Sequence, residues 1–423
     1  KLKKPLPDNV PLYISVMLSI AFRWACYSVI GSGLVMKYDY LTVLESARGA
    51  YAAKEAIFTH WAFYPRILSV WFKIFGDSFR SAVAFNIAVG ALSVALVYAI
   101  AFKLWKNQRL AFAASCALGL WPSLGVYHSV TSNEHLAMLG MLLASYLAVC
   151  ACKSEGRKRW ILTALTGLAC GAADMFKQFS PVFTIAAAIT ALVFWLLKKG
   201  GGKQLLAIAL SLLLIFACAN AVKALSLAYL DNYLGHRVCR NAANHFLWIG
   251  LNSGSDGMWS KETGMLVYEL ADKYDNDYEK VMAEIGETLK ADLKAHPERI
   301  YPTIQHKMEI DWAADTGVSA WIEALHAESF AFKDRLYMWS GAYYAAIMLL
   351  VAVGGITAML RRCEGALYMR LIVFGYALLL VLSEAQGRYQ LVLFPFFALL
   401  AARGAAEYTE LVKSVFEGKN NEG

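Results

Sequence analysis

The chain has 423 residues, 58% hydrophobic and 17% charged, with a formal net charge of +8. Soluble domains run at roughly 45–50% apolar and about 25% charged, so a water-dissolved globular protein is excluded. The composition leaves a membrane domain with one soluble lobe drawn from a loop.

KLKKPLP opens the chain, and an apolar run follows over 12–33. A signal peptide would carry a shorter apolar core and a small-residue cleavage site, so this run reads as a first transmembrane helix with no soluble domain ahead of it. Further apolar segments fall at 80–103, 109–127, 133–152, 160–178, 181–197, 204–230, 337–360, 368–384 and 388–405. About ten spans are therefore expected in an all-α polytopic protein. Several are short for a hydrocarbon core of roughly 30 Å, and Trp121-Pro122 interrupts the third, so a tilted or broken pair is expected.

Basic residues set the orientation. Lys103, Lys106 and Arg109, then Lys153, Arg157, Lys158 and Arg159, then Lys198, Lys199 and Lys203, then Arg361, Arg362 and Arg370 occupy alternate short loops, in series with KLKK. The positive-inside bias puts these loops and both termini in the cytoplasm, and the two long connections outside. The expected organisation is an N-terminal membrane module over 1–230 with seven spans, an extracytoplasmic lobe over 231–335, a C-terminal module of three spans over 336–411 and a tail over 412–423.

The first outer connection, 34–79, holds Asp39 and the aromatic stretch from His60 through Tyr64 to Pro65. Leu41, Leu44, Ala47 and Tyr51 recur at helical spacing, which predicts an amphipathic helix along the interface. The second, 231–335, holds 11 Lys/Arg against 18 Asp/Glu, so it is acidic while the rest of the chain is basic. Leu266–Leu270, Val281–Leu293 and Ile300–Trp312 show apolar helical spacing, which predicts a small helical lobe with its charged faces in water. Seven of the eight cysteines (26, 116, 150, 152, 170, 218 and 363) lie in or beside apolar segments, Cys239 alone sits in a polar loop, and no CxxC occurs. Neither a disulfide framework nor a structural zinc site is expected.

With this topology the polar residues converge on one membrane level. Asp39 follows span one, Glu134 opens span four, Asp174, Lys177 and Gln178 end span five, and Glu384, Gln386, Arg388 and Tyr389 lie between spans nine and ten. Singly they have ordinary readings: Lys177 snorkels to headgroups, Glu134 meets a helix dipole, His60 anchors an aromatic belt, and Asp174 pairs with Lys177. Together they suit transfer to a hydroxyl. A carboxylate takes the proton of an attacking alcohol, and Lys and Arg at lipid-phosphate depth stabilise a phosphate leaving group. No Walker loop, GxGxxG unit or HExxH helix is present, which argues against nucleotide chemistry and zinc hydrolysis. A transporter or flippase for lipid-linked sugars is the rival reading. It calls for charges along a transmembrane path and internal repeats, and here mid-span charges are scarce and no repeat is found.

The segment from Asp39 through YPRILSVWFKIFGDSFRSAVAFNIAVGALSVALVYAIAFKL, with FLWIGLNSGSDGMWSKET, MEIDWAAD and EAQGRYQLVLFPFFALLAA, resembles the dolichyl-phosphate-mannose–protein mannosyltransferase and aminoarabinose transferase type, in its Gram-positive bacterial branch. The resemblance implies the C-type glycosyltransferase (GT-C) fold, an inverting transfer from a polyprenyl-phosphate sugar, and a bacterial plasma-membrane enzyme with its site on the extracytoplasmic face. The acceptor implied is a cell-envelope glycan, teichoic-acid-like polymer or glycolipid before a protein. By position, Asp39 matches the catalytic base, Glu134 the acidic residue opening span four, Lys177 a basic residue facing lipid phosphate and Arg388 the basic residue of the last outer turn; with them, Glu134, His60, Tyr64 and Gln178 are candidates for acceptor or sugar binding, and Lys177, Arg388 and Tyr389 for the lipid phosphate. Many members carry Asp-Glu where this chain has Asp39-Tyr40, and the lobe lacks the repeats inserted in eukaryotic enzymes. No nucleic-acid partner and no bound cofactor is expected. A divalent ion between Asp39 and Glu134 is conceivable, but two carboxylates do not define such a site.

Overall fold

The computed structural model describes residues 9–31, 35–49, 54–325, 330–361 and 366–420, and among these it contains helices and no strand. The KLKK run, Tyr51, Arg362 and Cys363 lie outside the described residues. Among the described residues seven helices are long and apolar enough to cross a membrane: Val10–Ile30, Phe79–Trp105, Asn133–Cys152, Ser180–Leu197, Gly202–Leu234, Lys333–Met359 and Gly387–Lys413.

The other three expected spans are helices of different character. Leu367–Leu382 is apolar but has only 16 residues. Gly156–Asp174 has 19 residues, and Arg157, Lys158 and Arg159 fill its first turn. The 109–127 segment divides into Gln108–Gly119 and Pro122–Tyr127. Pro122 causes the break, because it has no N–H to donate and its ring opposes the preceding turn, while its fixed φ suits the start of a new helix. Trp121 at the junction is fully buried, stacks on Phe394 at 4.1 Å and donates Nε1–H to Asp315 Oδ2 at 2.8 Å.

Small residues set the helix spacing on the other side of the bundle. Gly167 and Gly171 lie against Gly202–Leu234, where a Cβ would stand 2.6 Å from the Ile215 carbonyl oxygen and 2.8 Å from that of Ala219. Such close backbone approach is how helices associate in lipid, where apolar burial alone gives no net drive.

The two long connections contain helices. Tyr38–Ala47 buries Tyr40, Val43, Leu44 and Ala47, and Phe63–Phe75 buries Tyr64, Leu68 and Phe72. Lys261–Lys273 and Tyr278–Ala295 pack Val267, Leu270, Val281, Met282 and Ile285 into a separate small core, which also takes in Ala56, Ile57 and Cys239. Gly317–Leu325 instead buries Val318, Trp321 and Leu325 in the main cluster, with Trp321 Nε1 donating to Ser129 Oγ at 3.0 Å.

The Ile300–Trp312 helix departs from expectation. Its buried residues are Thr303, Lys307 and Asp311, a polar stripe turned inward, while Tyr301 is 74% exposed. Lys307 Nζ donates to the carbonyls of Gly250 at 3.0 Å and Val381 at 2.6 Å, and these partners make its burial tolerable.

Candidate active site

Asp39 lies in the first turn of Tyr38–Ala47. The turn is held from two sides: Lys37 N–H donates to the Ala324 carbonyl at 2.8 Å, and Thr131 Oγ1 donates to the Tyr40 carbonyl at 2.8 Å. Tyr38 is forced to a φ of 50°, a left-handed conformation that costs a non-glycine residue about 1 kcal/mol or more. The strain sits one residue before a carboxylate whose side chain is 33% exposed.

Glu134 opens Asn133–Cys152, whose N-cap is Ser132; the Ser132 hydroxyl also bonds the Glu134 carboxylate. Glu134 is 6% exposed, and two cations share its Oε1: Lys177 Nζ at 3.0 Å and Arg388 Nε at 4.0 Å. The two nitrogens therefore lie within about 7 Å of each other, although about 210 residues separate them in sequence. Arg388 Nη2 also reaches Asp39 Oδ2 at 3.8 Å. A chain of alternating charge thus runs from Asp39 through Arg388 and Glu134 to Lys177.

Aromatic rings wall this chain. Lys177 Nζ stands 3.7 Å from the Tyr389 ring centroid, and the Arg388 guanidinium lies 5.2, 5.7 and 5.9 Å from the rings of Tyr40, Tyr389 and Trp61. Glu384 accepts from Tyr389 OH at 3.0 Å and from Gln386, which fixes the turn bearing Arg388. Arg388 Nε is buried and, among the described residues, has no hydrogen-bond partner. Two largely buried cations around one oxygen, with a donor still unsatisfied, can accept an anion in place of the carboxylate.

The other predicted residues fare differently. The His60 carbonyl accepts from Asn133 Nδ2 at 3.1 Å. Burial and the nearby Lys177 charge push the His60 pKa down to about 3, so the ring is neutral. Tyr64 is fully buried and donates to Asn86 Oδ1 at 2.5 Å, while Asn86 Nδ2 holds the carbonyls of His128 and Val130; Tyr64 thus shapes the loop before Glu134. Gln178 is exposed, and among the described residues it has no hydrogen bond to the charge chain. Asp174 does not pair with Lys177. It accepts from the N–H groups of Phe179 and Ser180 at 2.6 and 2.8 Å and so caps the Ser180–Leu197 helix.

Sequence reasoning missed Tyr268, a lobe residue whose pKa burial and the Asp39 charge push up to about 12. It also missed Arg23, 1% exposed in the first span, bonded to Ser19 and packed near Gly90 and His128. Among the described residues no group of three or more His, Cys, Asp or Glu gathers as a metal site, and Glu134 faces cations instead.

The helical membrane bundle has the GT-C fold. Residues 60–219 match the dolichyl-phosphate-mannose-protein mannosyltransferase family. Among solved structures, the chain is similar to the archaeal oligosaccharyltransferase AglB from Archaeoglobus fulgidus in complex with an inhibitory peptide and a dolichol-phosphate, with a TM-score of 0.53 and 12% identity over 98% of this chain and 52% of that one. The apo oligosaccharyltransferase of Archaeoglobus fulgidus gives a TM-score of 0.52 and 13% identity, with the same coverage. The chain thus spans about half the length of the solved structures it resembles. No curated protein matches it in sequence.

Proposed function

We propose that the protein is an inverting glycosyltransferase that moves a sugar from a polyprenyl-phosphate donor to a hydroxyl of an extracytoplasmic glycan or glycolipid at a bacterial plasma membrane. The observation that carries this reading is the pair Lys177 and Arg388, both nearly dry and both turned on one carboxylate oxygen beside Asp39. In the reaction, the acceptor oxygen attacks the anomeric carbon opposite the phosphate, and Asp39, the most open of the charged group, takes the hydroxyl proton. The bond from anomeric carbon to phosphate oxygen breaks, and the charge that grows on the polyprenyl phosphate is met by Lys177 and Arg388. Glu134 keeps the two cations together before the donor arrives, and the Tyr389, Tyr40 and Trp61 rings exclude water from them.

The test is turnover of a polyprenyl-phosphate sugar by purified protein and by Asp39→Asn. The substitution is nearly isosteric at a partly exposed site, so folding is retained, and turnover falls by about 10²–10⁴-fold. Activity within a few-fold of the native protein removes Asp39 as the base.

A further inference from the structure

The inward stripe of Ile300–Trp312 contains a group that the transfer chemistry leaves unused. Asp311 is 1% exposed, and its Oδ1 has no hydrogen-bond partner among the described residues. Lys307, one turn earlier, does not relieve it. Its ammonium is bonded to the carbonyls of Gly250 and Val381, and no Lys307–Asp311 ion pair is found among the described residues. An unsatisfied buried carboxyl oxygen is costly to keep, which calls for a partner that arrives later.

Its position indicates what that partner carries. Ile300–Trp312 packs against the Gly387–Leu393 turn, which bears Arg388 and Tyr389, and against the end of Leu367–Leu382. Two packed elements thus carry two unmet demands among the described residues: Arg388 Nε on the turn, a donor without a hydrogen-bond acceptor, and the Asp311 carboxyl on the helix. A ligand that supplies an anion to the first and hydroxyl groups to the second is a sugar phosphate. We infer that Asp311 forms a sugar subsite, binding a hydroxyl of the sugar carried by the donor lipid; this rests on the glycosyltransferase reading above. Burial pushes the Asp311 pKa up to about 7, against the opposing fields of Lys307 and Lys177 and reinforced by Glu384. Near neutral pH the carboxyl therefore serves a hydroxyl as donor or acceptor, and it has no role in the proton transfer assigned to Asp39.

The experiment compares binding of polyprenyl monophosphate without sugar with a panel of polyprenyl-phosphate hexoses, pentoses and amino sugars, using the full chain in nanodiscs. The native protein binds at least one sugar-bearing lipid about tenfold more tightly than the bare one, the worth of one well-made hydrogen bond. Asp311→Leu removes that advantage and leaves the affinity for bare polyprenyl phosphate within about twofold. Asp311→Asn, which keeps shape and hydrogen-bonding capacity, retains part of the advantage and serves as the readout if the leucine variant does not fold. The subsite is overturned if the sugar advantage survives both substitutions, if both lipids weaken equally, or if the native protein binds bare and sugar-bearing lipids alike. Binding of neither lipid by the native protein overturns the phosphate-site reading as well, whereas the preceding outcomes leave it standing.

Discussion

Glu134→Gln tests whether the two cations form an anion site that the protein fills with its own carboxylate. The substitution keeps the side-chain shape and the bond to Ser132 but removes the charge that faces Lys177 at 3.0 Å and Arg388 at 4.0 Å. Without it, two cations within about 7 Å repel by roughly 2 kcal/mol at an effective dielectric of about 20. Removing one partner of a buried ion pair costs about 3–5 kcal/mol in all. The purified variant should therefore unfold several degrees below the native protein in a thermal scan without lipid. Added polyprenyl phosphate restores it, because the lipid's anion takes the position the carboxylate held. The rise on adding lipid is larger for the variant than for the native protein, since phosphate no longer competes with Glu134, and its affinity for bare lipid phosphate increases by about tenfold or more. A variant as stable as the native protein, or one that gains no more from the lipid, would falsify this account of the cluster.

Lys177→Ala and Arg388→Ala should each weaken binding of the lipid phosphate by roughly 1.5–3 kcal/mol in direct titration, and the double variant should lose less than the sum because both contact one group. Small additive losses would instead mark residues that merely snorkel. Asp311 gives a pH signature: with a folded pKa of about 7 against about 3.9 unfolded, the folded chain holds a proton the unfolded chain has released, so stability falls as pH rises from 4 to 7, by at most about 1.4 kcal/mol per unit. Thermal scans across that window should show the slope flattened in Asp311→Asn, while Lys307, lowered to about 8, acts in the opposite sense only above that pH. Gly171→Leu should separate the Gly156–Asp174 and Gly202–Leu234 helices and cost about 1–3 kcal/mol or more in thermal stability, since even a Cβ there meets Val222 at 2.7 Å. Gly355→Ala, where a Cβ meets nothing within 4 Å, should leave stability unchanged or raise it.

The charge cluster was legible because loop charge fixes which ends of the spans share a level, and Asp39, Glu134, Lys177 and Arg388 then fall together without any knowledge of packing. The apolar spacing at Leu266–Leu270 and Val281–Leu293 likewise anticipated the Lys261–Lys273 and Tyr278–Ala295 helices. Periodicity failed at Ile300–Trp312. It separates a polar stripe from an apolar one, but which stripe faces inward depends on what the neighbours offer, and here they offer the carbonyls of Gly250 and Val381. Asp174 was misassigned for a related reason: helical spacing to Lys177 suggested an ion pair, but the chain leaves the helix at that point and the free N–H groups of the next helix claimed the carboxylate. Arg23 lies in a run apolar enough to conceal it, and only the packing of Ser19, Gly90 and His128 around it gives it meaning.

The lobe is riveted to the turn that carries Arg388. Besides the Lys307 ammonium on Val381, the Ala385 N–H donates to the Gly257 carbonyl at 2.9 Å, and the Gly250 backbone presses so closely on Leu382 and Ser383 that a Cβ there would stand 2.5 Å from the Leu382 oxygen. Three fastenings within five residues tie the segment leading into the turn to the lobe. A shift of Arg388 is thereby coupled to the lobe, and a load on the lobe is passed back toward the guanidinium. Whatever leans on the lobe therefore has a lever on the cation end of the charge chain.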